Sequence, residues 1–212
     1  MGRRLPVYLL LDVSGSMMGE PITAVQNGVQ TLVSALNGDP QALESAYLSV
    51  ITFSNSAQQV VPLTELNQFV PPQLQASGMT SLGEALALVT DCAEREVVKN
   101  TPEAKGDWKP LVFLMTDGCA TDDINRGLQR FKTRKWGIVV ACAAGSGADT
   151  DELSKITEAV VKLDTADSAS IAAFFKWVSA SVSTSSKSIG AQNKQPNSLD
   201  QLPDPPEEIQ LI

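Results

Sequence analysis

Leu5-Pro-Val-Tyr-Leu-Leu-Leu11, running straight into Asp12-Val-Ser14-Gly-Ser16, is the stretch that decides the fold. The run is apolar at consecutive positions instead of every second one, the pattern of a strand covered on both faces in a parallel sheet. The polar cluster therefore falls where that strand ends. Downstream, Ile22, Val25, Val29, Leu32, Val33 and Leu36 recur at helical spacing, with Pro21 suited to the first turn and Gly38 to the exit. Strand, polar loop and helix make one βα unit.

The pattern repeats along the chain. Ala46 to Phe53 is rich in β-branched and aromatic residues, Ser54-Asn55-Ser56 supplies turn chemistry, and Gln58 to Leu63 follows as a second strand that Pro62 confines to an edge. Ser81-Leu-Gly-Glu84 has capping-box spacing ahead of a helix carrying Leu82, Ala85, Leu86, Val89 and Val97. Leu111 to Met115 is again a buried-strand run. A helix is expected from Asp123 to Lys135, a strand at Ile138 to Cys142, a short helix at Asp151 to Thr157 and a strand at Val160 to Leu163. Ile171, Phe174, Phe175, Val178 and Val182 form the inner stripe of a closing helix. Alternating units with one hairpin predict an α/β fold: a doubly wound, mostly parallel six-stranded sheet with one antiparallel edge strand and helices on both faces. The domain is expected to span residues 1–183. Residues 184–212, rich in Ser, Gln, Asn and Pro, are expected to be an extended or flexible acidic tail.

Composition narrows the chemistry. The 212 residues contain no histidine, so a Ser/His/Asp triad, a His-zinc site and a His-ligated haem are all excluded. With 16 Lys+Arg against 24 Asp+Glu the net charge is −8, and the basic residues are scattered, which argues against nucleic acid as a partner. Cys92, Cys119 and Cys142 are an odd number without CxxC spacing and read as reduced, mostly buried thiols of a cytoplasmic protein. For Cys119 a buried, inert thiol is the expectation, since no basic cluster stands near it in sequence. The first apolar run is cut by Asp12 and is too short for a signal peptide or a membrane span, so no membrane insertion is expected. Trp108, Trp136 and Trp177 do not cluster and are assigned to packing.

Two strand ends carry unusual polar groups. Strand one leads into Asp12-x-Ser14-x-Ser16, the later strand into Thr116-Asp117-Gly118, and the loop before the capping-box helix ends Ser77-Gly-Met-Thr80-Ser81. Three loops thus deliver carboxylates and hydroxyls to one edge of the sheet. A donor set made only of oxygen suits hard cations such as Mg2+, Mn2+ or Ca2+. In a loop leaving a strand, residues two apart can face one side, so Asp12, Ser14 and Ser16 can converge. Helix capping explains the two serines taken alone, but not two carboxylates from separate strands. Gly145-Ser-Gly147 after a strand lacks the spacing of a phosphate loop and reads as a turn.

These three pieces, in this order, resemble the metal-ion-dependent adhesion site of von Willebrand factor A domains. The whole chain, including Phe174-Phe-Lys-Trp-Val-Ser-Ala-Ser-Val182 and the proline-acidic ending, resembles short bacterial TerY-type proteins of tellurite and chemical-stress resistance systems. The resemblance implies that Asp12, Ser14, Ser16, Thr80 and Asp117 are the metal-site positions, that the ion is Mg2+, with Mn2+ or Ca2+ as alternatives, and that the protein is a non-enzymatic scaffold. A cation held mainly by neutral hydroxyls keeps water ligands and seeks an outside anion, so the implied partner is a protein presenting an acidic residue to the metal. The tail carboxylates Asp204, Glu207 and Glu208 offer self-association as a further possibility. The rival is a Mg2+-dependent phosphoryl-transfer or hydrolytic α/β enzyme using Asp12; no Lys or Arg lies within the three site loops to meet developing phosphate charge. A dinucleotide-binding Rossmann protein would share the topology but needs a glycine fingerprint that is missing here.

Overall fold

Strand β1 (Leu5–Asp12) is buried at all eight positions. Its alternating side chains feed two different cores: Leu5, Val7, Leu9 and Leu11 enter one, Tyr8 and Leu10 the other. This is the physical content of its unbroken apolar run. The computed structural model describes residues 3–192 and 199–212.

On one face of the sheet lie α1 (Glu20–Asn37) and the long α6 (Ser168–Gln192), which pack on each other through Val25, Val29 and Leu32 on α1 and Ile171, Phe174, Phe175 and Val178 on α6. On the other face lie α3 (Leu82–Glu96), α4 (Ile124–Phe131) and α5 (Thr150–Ser154), with Leu86, Val89, Leu128 and Leu153 turned inward. A short helix, α2 (Pro40–Ser45), follows α1. Asp39 caps it by accepting hydrogen bonds from the N–H groups of Gln41 and Ala42, and Pro40 holds its first position.

The remaining strands are β2 (Ala46–Phe53), β3 (Ala57–Glu65), β4 (Leu111–Thr116), β5 (Val139–Ala144), β6 (Val160–Leu163) and β7 (Gln210–Leu211), arranged in the order β3-β2-β1-β4-β5-β6-β7. β1 pairs in parallel with both β2 and β4, β5 and β6 continue the parallel set, and β3 is antiparallel to β2. The doubly wound sheet is therefore as expected, with a crevice at the carboxyl ends of β1 and β4, where strand order reverses.

The sheet has seven strands, not six. β7 pairs antiparallel with β6, so both edges are antiparallel. Beyond residue 183 the described residues include the last turns of α6 and the segment 199–212. α6 continues to Gln192, and within it Ser179 donates its hydroxyl to Phe175 O and Ser181 to Trp177 O, each at 2.8 Å, so that these buried hydroxyls are satisfied inside the helix. Farther on, Leu202 and Ile209 are buried, and Trp177 Nε1 donates to Pro203 O at 2.8 Å.

The capping box assigned to Ser81 and Glu84 does not form. Ser81 makes no side-chain cap. The first turn of α3 is capped from a distance by Asp122, whose carboxylate accepts from Gly83 N at 3.0 Å and Glu84 N at 2.8 Å. An ionised acceptor placed at a helix N-terminus outcompetes a hydroxyl there.

Candidate metal centre

β1 and β4 run side by side with Leu11 opposite Met115, so Asp12 and Thr116 end the two strands together. Thr116 donates its hydroxyl to Asp12 Oδ2 at 2.6 Å, and the Ser14 backbone N–H donates to Asp12 Oδ1 at 2.7 Å. The Ser14 and Ser16 hydroxyls share a hydrogen bond of 3.0 Å, and Ser16 Oγ donates to Asp117 Oδ1 at 2.6 Å. One chain of oxygens thus runs from Thr116 through Asp12 and the serine loop to Asp117. Asp12, Ser14, Thr80 and Thr116 are buried, Asp117 is half-buried and Ser16 is exposed. The cluster is a cup with a buried floor and an open rim.

The loop carrying Thr80 is stitched to this cup by backbone bonds. Gly15 N donates to Gly78 O at 3.0 Å and Ser77 N to Val13 O at 2.8 Å. Thr80 N donates to the Thr121 hydroxyl, while Thr121 N returns a bond to Thr80 O. Asn55, at the turn between β2 and β3, accepts from Met79 N at 3.0 Å. Gly78 has φ +79°, and a Cβ there would lie 2.6 Å from Asn55 Oδ1, so the bend needs glycine twice over. Gln26 on α1 clamps the loop farther back, accepting from Leu74 N and donating to Pro72 O. The Thr80 hydroxyl comes to the same mouth: the space beside Gly118 lies 3.8 Å from Thr80 Oγ1 and 4.0 Å from Ser16 Oγ.

The Asp117 loop is held from the β5 side. A Cβ on Gly147 would fall 2.6 Å from Asp117 O, so only glycine lets these backbones approach this closely. Ala120 N donates to Glu152 Oε2 at 2.9 Å. The turn read at Gly145-Ser-Gly147 is thus a support for the cluster, with Gly145 at φ +79°.

All five residues expected from sequence meet here, and the structure adds Thr116. Its signal was its place beside Asp12 at the end of the neighbouring parallel strand. Burial pushes the Asp12 carboxyl above its usual range, the bonds from Ser14 and Thr116 pull it back down, and the Asp117 charge adds to the rise. Among the described residues no group of three or more Asp, Glu, Cys or His is assembled, so a cation at this cup would depend on hydroxyls. Cys119 departs from expectation: Cys92 and Cys142 are buried, but Cys119 is exposed on the loop just past Asp117, its Sγ 3.6 Å from Gly147 O. It lies past the end of β4, where apolar neighbours in sequence no longer imply burial. Among the described residues no helix is long and apolar enough to cross a membrane.

Comparison with known proteins gives consistent findings. The mussel byssus proximal thread matrix protein 1, in a structure with a zinc-occupied MIDAS motif, superposes with a TM-score of 0.59 at 19% identity, over 84% of this chain and 45% of that one. A von Willebrand factor type A protein from Catenulispora acidiphila gives a TM-score of 0.64 at 20% identity, over 86% and 43%. In sequence, the uncharacterized protein sll0103 of Synechocystis is 31% identical over 123 residues, and this chain spans 26% of that relative's length. Residues 7–176 match the von Willebrand factor type A domain, and the chain belongs to that family.

Proposed function

We propose that the cup formed by Asp12, Ser14, Ser16, Thr80 and Asp117 holds a divalent cation, Mg2+ in the first instance with Mn2+ or Ca2+ as substitutes, and that this ion joins the protein to an acidic residue of a partner. The observation that carries the reading is the convergence of two carboxylates and the serine hydroxyls from separate strand ends on one open mouth, at separations of 2.6 to 3.0 Å. Adjacent ligands on an octahedron with bonds of about 2.0–2.1 Å stand ~2.9–3.0 Å apart, so the Ser14–Ser16 pair suits such an ion. The donors are oxygen only, matching a hard cation. The zinc-occupied motif in the mussel structure supports divalent binding by this fold.

In this reading the residues divide the work. Asp12 supplies buried charge and is oriented by Thr116 and Ser14 N; Ser14, Ser16 and Thr80 supply neutral oxygens; Asp117 stands at the rim. When bound, the cation supplies an incompletely neutralised positive charge facing solvent. A glutamate or aspartate of another protein satisfies it, so the module binds without turning over a substrate. Among the described residues no arginine or lysine hydrogen-bonds to these oxygens, which disfavours phosphoryl transfer at the cup. We place the protein in the bacterial cytoplasm, as a scaffold in a chemical-stress or tellurite-resistance assembly, on the strength of its sequence resemblance. The test is affinity capture in Mg2+, in EDTA and with Asp12→Ala as bait, beside calorimetric titration of Mg2+ and Mn2+. Partners and heat of binding should both disappear with Asp12→Ala; retention of both in that variant sinks the reading.

A further inference from the structure

At the opposite, amino end of the strands lies a cavity of about 570 Å³. Its walls include the start of β5 at Ile138 and Val139, the start of β6 at Ala159, and the segment after α4 carrying Lys132, Arg134 and Trp136. Its volume is within the range of small-molecule sites, about 300–1,000 Å³. β5 alone separates it from the metal cup by ~20 Å at about 3.3 Å per residue.

The feature that sets this cavity apart is Arg134. Arg130, four residues earlier, is paired with two carboxylates: it donates to Asp91 and Glu94, with closest distances of 2.7 Å to each. Arg134 has neither. Its Nε is buried without a hydrogen-bond partner, and no ion pair reaches its guanidinium among the described residues. Burial lowers the affinity of this guanidinium for its proton, and the nearby Tyr8 and Glu94 offset only part of that effect. Glu158 also lines the cavity, but forms no ion pair with Arg134. Lys132 adds a second positive charge, so the walls carry two cations against one anion.

Next to this charge is a fixed aromatic plate. Trp136 stacks on Phe131 with centroids 4.7 Å apart and 17° between planes, and its Nε1 donates to Phe131 O at 3.0 Å. The Arg134 guanidinium carbon stands 5.6 Å from the indole centre. Ile138 and Ile156 make the walls apolar beside it. A guanidinium whose buried Nε has no acceptor, a held indole and aliphatic walls together describe a site for a charged head on a flat body.

We propose that this cavity binds a small organic anion with a planar apolar body, its carboxylate or phosphate paired with Arg134 and its ring lying against Trp136 and the isoleucines. The site does not use the metal cup and works in EDTA. The test is an NMR titration of the 15N-labelled full chain in EDTA, following the Arg134 Nε–H and Trp136 Nε1–H signals. The probes are adenosine monophosphate for a phosphate head and indole-3-acetate for a carboxylate head, with adenosine and indole as uncharged counterparts. Saturable shifts of both signals by either anion, with the uncharged counterpart about tenfold weaker or worse, are expected. Arg134→Gln should weaken binding by about tenfold or more while leaving the thermal transition in place. If that variant is unstable, Arg134→Lys, which keeps the charge and loses the planar fork, decides the matter by weakening the same anion. Silence from both anions, equal binding of charged and uncharged probes, or undiminished binding in a folded Arg134 variant overturns the proposal.

Discussion

The two ends of the sheet treat their polar groups in opposite ways. At the carboxyl end, Thr116, Asp12, Ser14, Ser16 and Asp117 satisfy one another in an unbroken chain. At the amino end, Trp108 Nε1, Arg134 Nε and Ser186 Oγ are buried without partners; Trp108 and Ser186 line a small cavity beside Arg3, which stacks on the Trp108 ring at 3.6 Å. A buried polar atom left unpaired costs about 1–3 kcal/mol, so the contrast is energetic as well as geometric. The carboxyl end is preorganised, its groups held by short loops and by each other. The amino end has donors waiting for acceptors that the described residues do not provide.

The largest effect that would test this contrast is reciprocal. Asp12→Ala removes the buried carboxylate that organises the cup. It should lower Mg2+ affinity by more than the ~10–100-fold that loss of an outer-shell partner costs in metal sites. Arg134→Gln should leave Mg2+ affinity within a factor of about two, since well-separated sites without shared partners behave additively. Calorimetric titration of both variants checks the pair; a metal defect in the Arg134 variant would merge the two ends into one system.

Proton competition comes next in size. Burial raises the Asp12 carboxyl above its ordinary value of 3.8. A group with a raised folded pKa keeps its proton longer in the native state than in the unfolded one. The contribution of this one group to metal-free stability is therefore fully present below the ordinary value and is lost as pH rises through the folded one. Metal binding needs the ionised form and runs the other way: affinity should fall about tenfold for each pH unit below the folded pKa. Added Mg2+ should raise the melting temperature at neutral pH and lose that effect on acidification. A pH-independent shift would show that Asp12 is not a ligand.

How much of this was legible depends on how far apart the causes lie along the chain. β1 and β4 follow from continuous apolar runs because both faces of these central strands are buried, while β2 and β6, which also carry Ser49, Thr52 and Lys162, follow from their β-branched residues. Asp12, Ser14 and Ser16 share one loop, so their convergence is written locally. Thr116 is harder, since its partner is 104 residues away and only strand pairing brings them together. The Asp122 cap on α3 is invisible for the same reason: a nearer Ser81 offers the expected spacing, and only the packing of α3 on α4 shows that a carboxylate reaches the turn first. β7 and the length of α6 were hidden by composition, because Ser, Pro and Gln say little once Trp177, Leu202 and Ile209 find burial. Arg134 has no motif at all; its significance lies in a buried Nε left without an acceptor while Asp91 and Glu94 hydrogen-bond to Arg130.

A smaller effect probes how the carboxyl end is propped. In Gly147→Ala the new methyl must displace Asp117 O, which lies 2.6 Å from its position. Overpacking of this kind costs ~1–3 kcal/mol. The strain falls on the loop that places Asp117, so Mg2+ affinity should drop by about tenfold, the size of an outer-shell loss. Gly38→Ala is the control, because its nearest neighbour would be Ala35 O at 3.4 Å, an ordinary contact. It should leave metal binding unchanged.

The smallest effect asks whether the C-terminal segment belongs to either end. Trp177 on α6 is buried and donates Nε1 to Pro203 O, tying residues 199–212 to the helix that covers one face of the sheet. Trp177→Phe keeps an aromatic ring in that place but removes part of a buried side chain and leaves Pro203 O without its donor, a change of ~1–3 kcal/mol. For a chain of this size each kcal/mol lowers the melting temperature by about 2–4 °C. Hydrogen exchange should quicken at Gln210 and Leu211, because β7 pairs with β6 over only two residues and depends on the docking of the segment before it. Mg2+ affinity should stay as it is, since among the described residues α6 contributes no oxygen to the cup. A fall in metal affinity in this variant would mean that the closing helix and the cup move as one body, and the independence of the sheet's two ends would have to be given up along the α6 face.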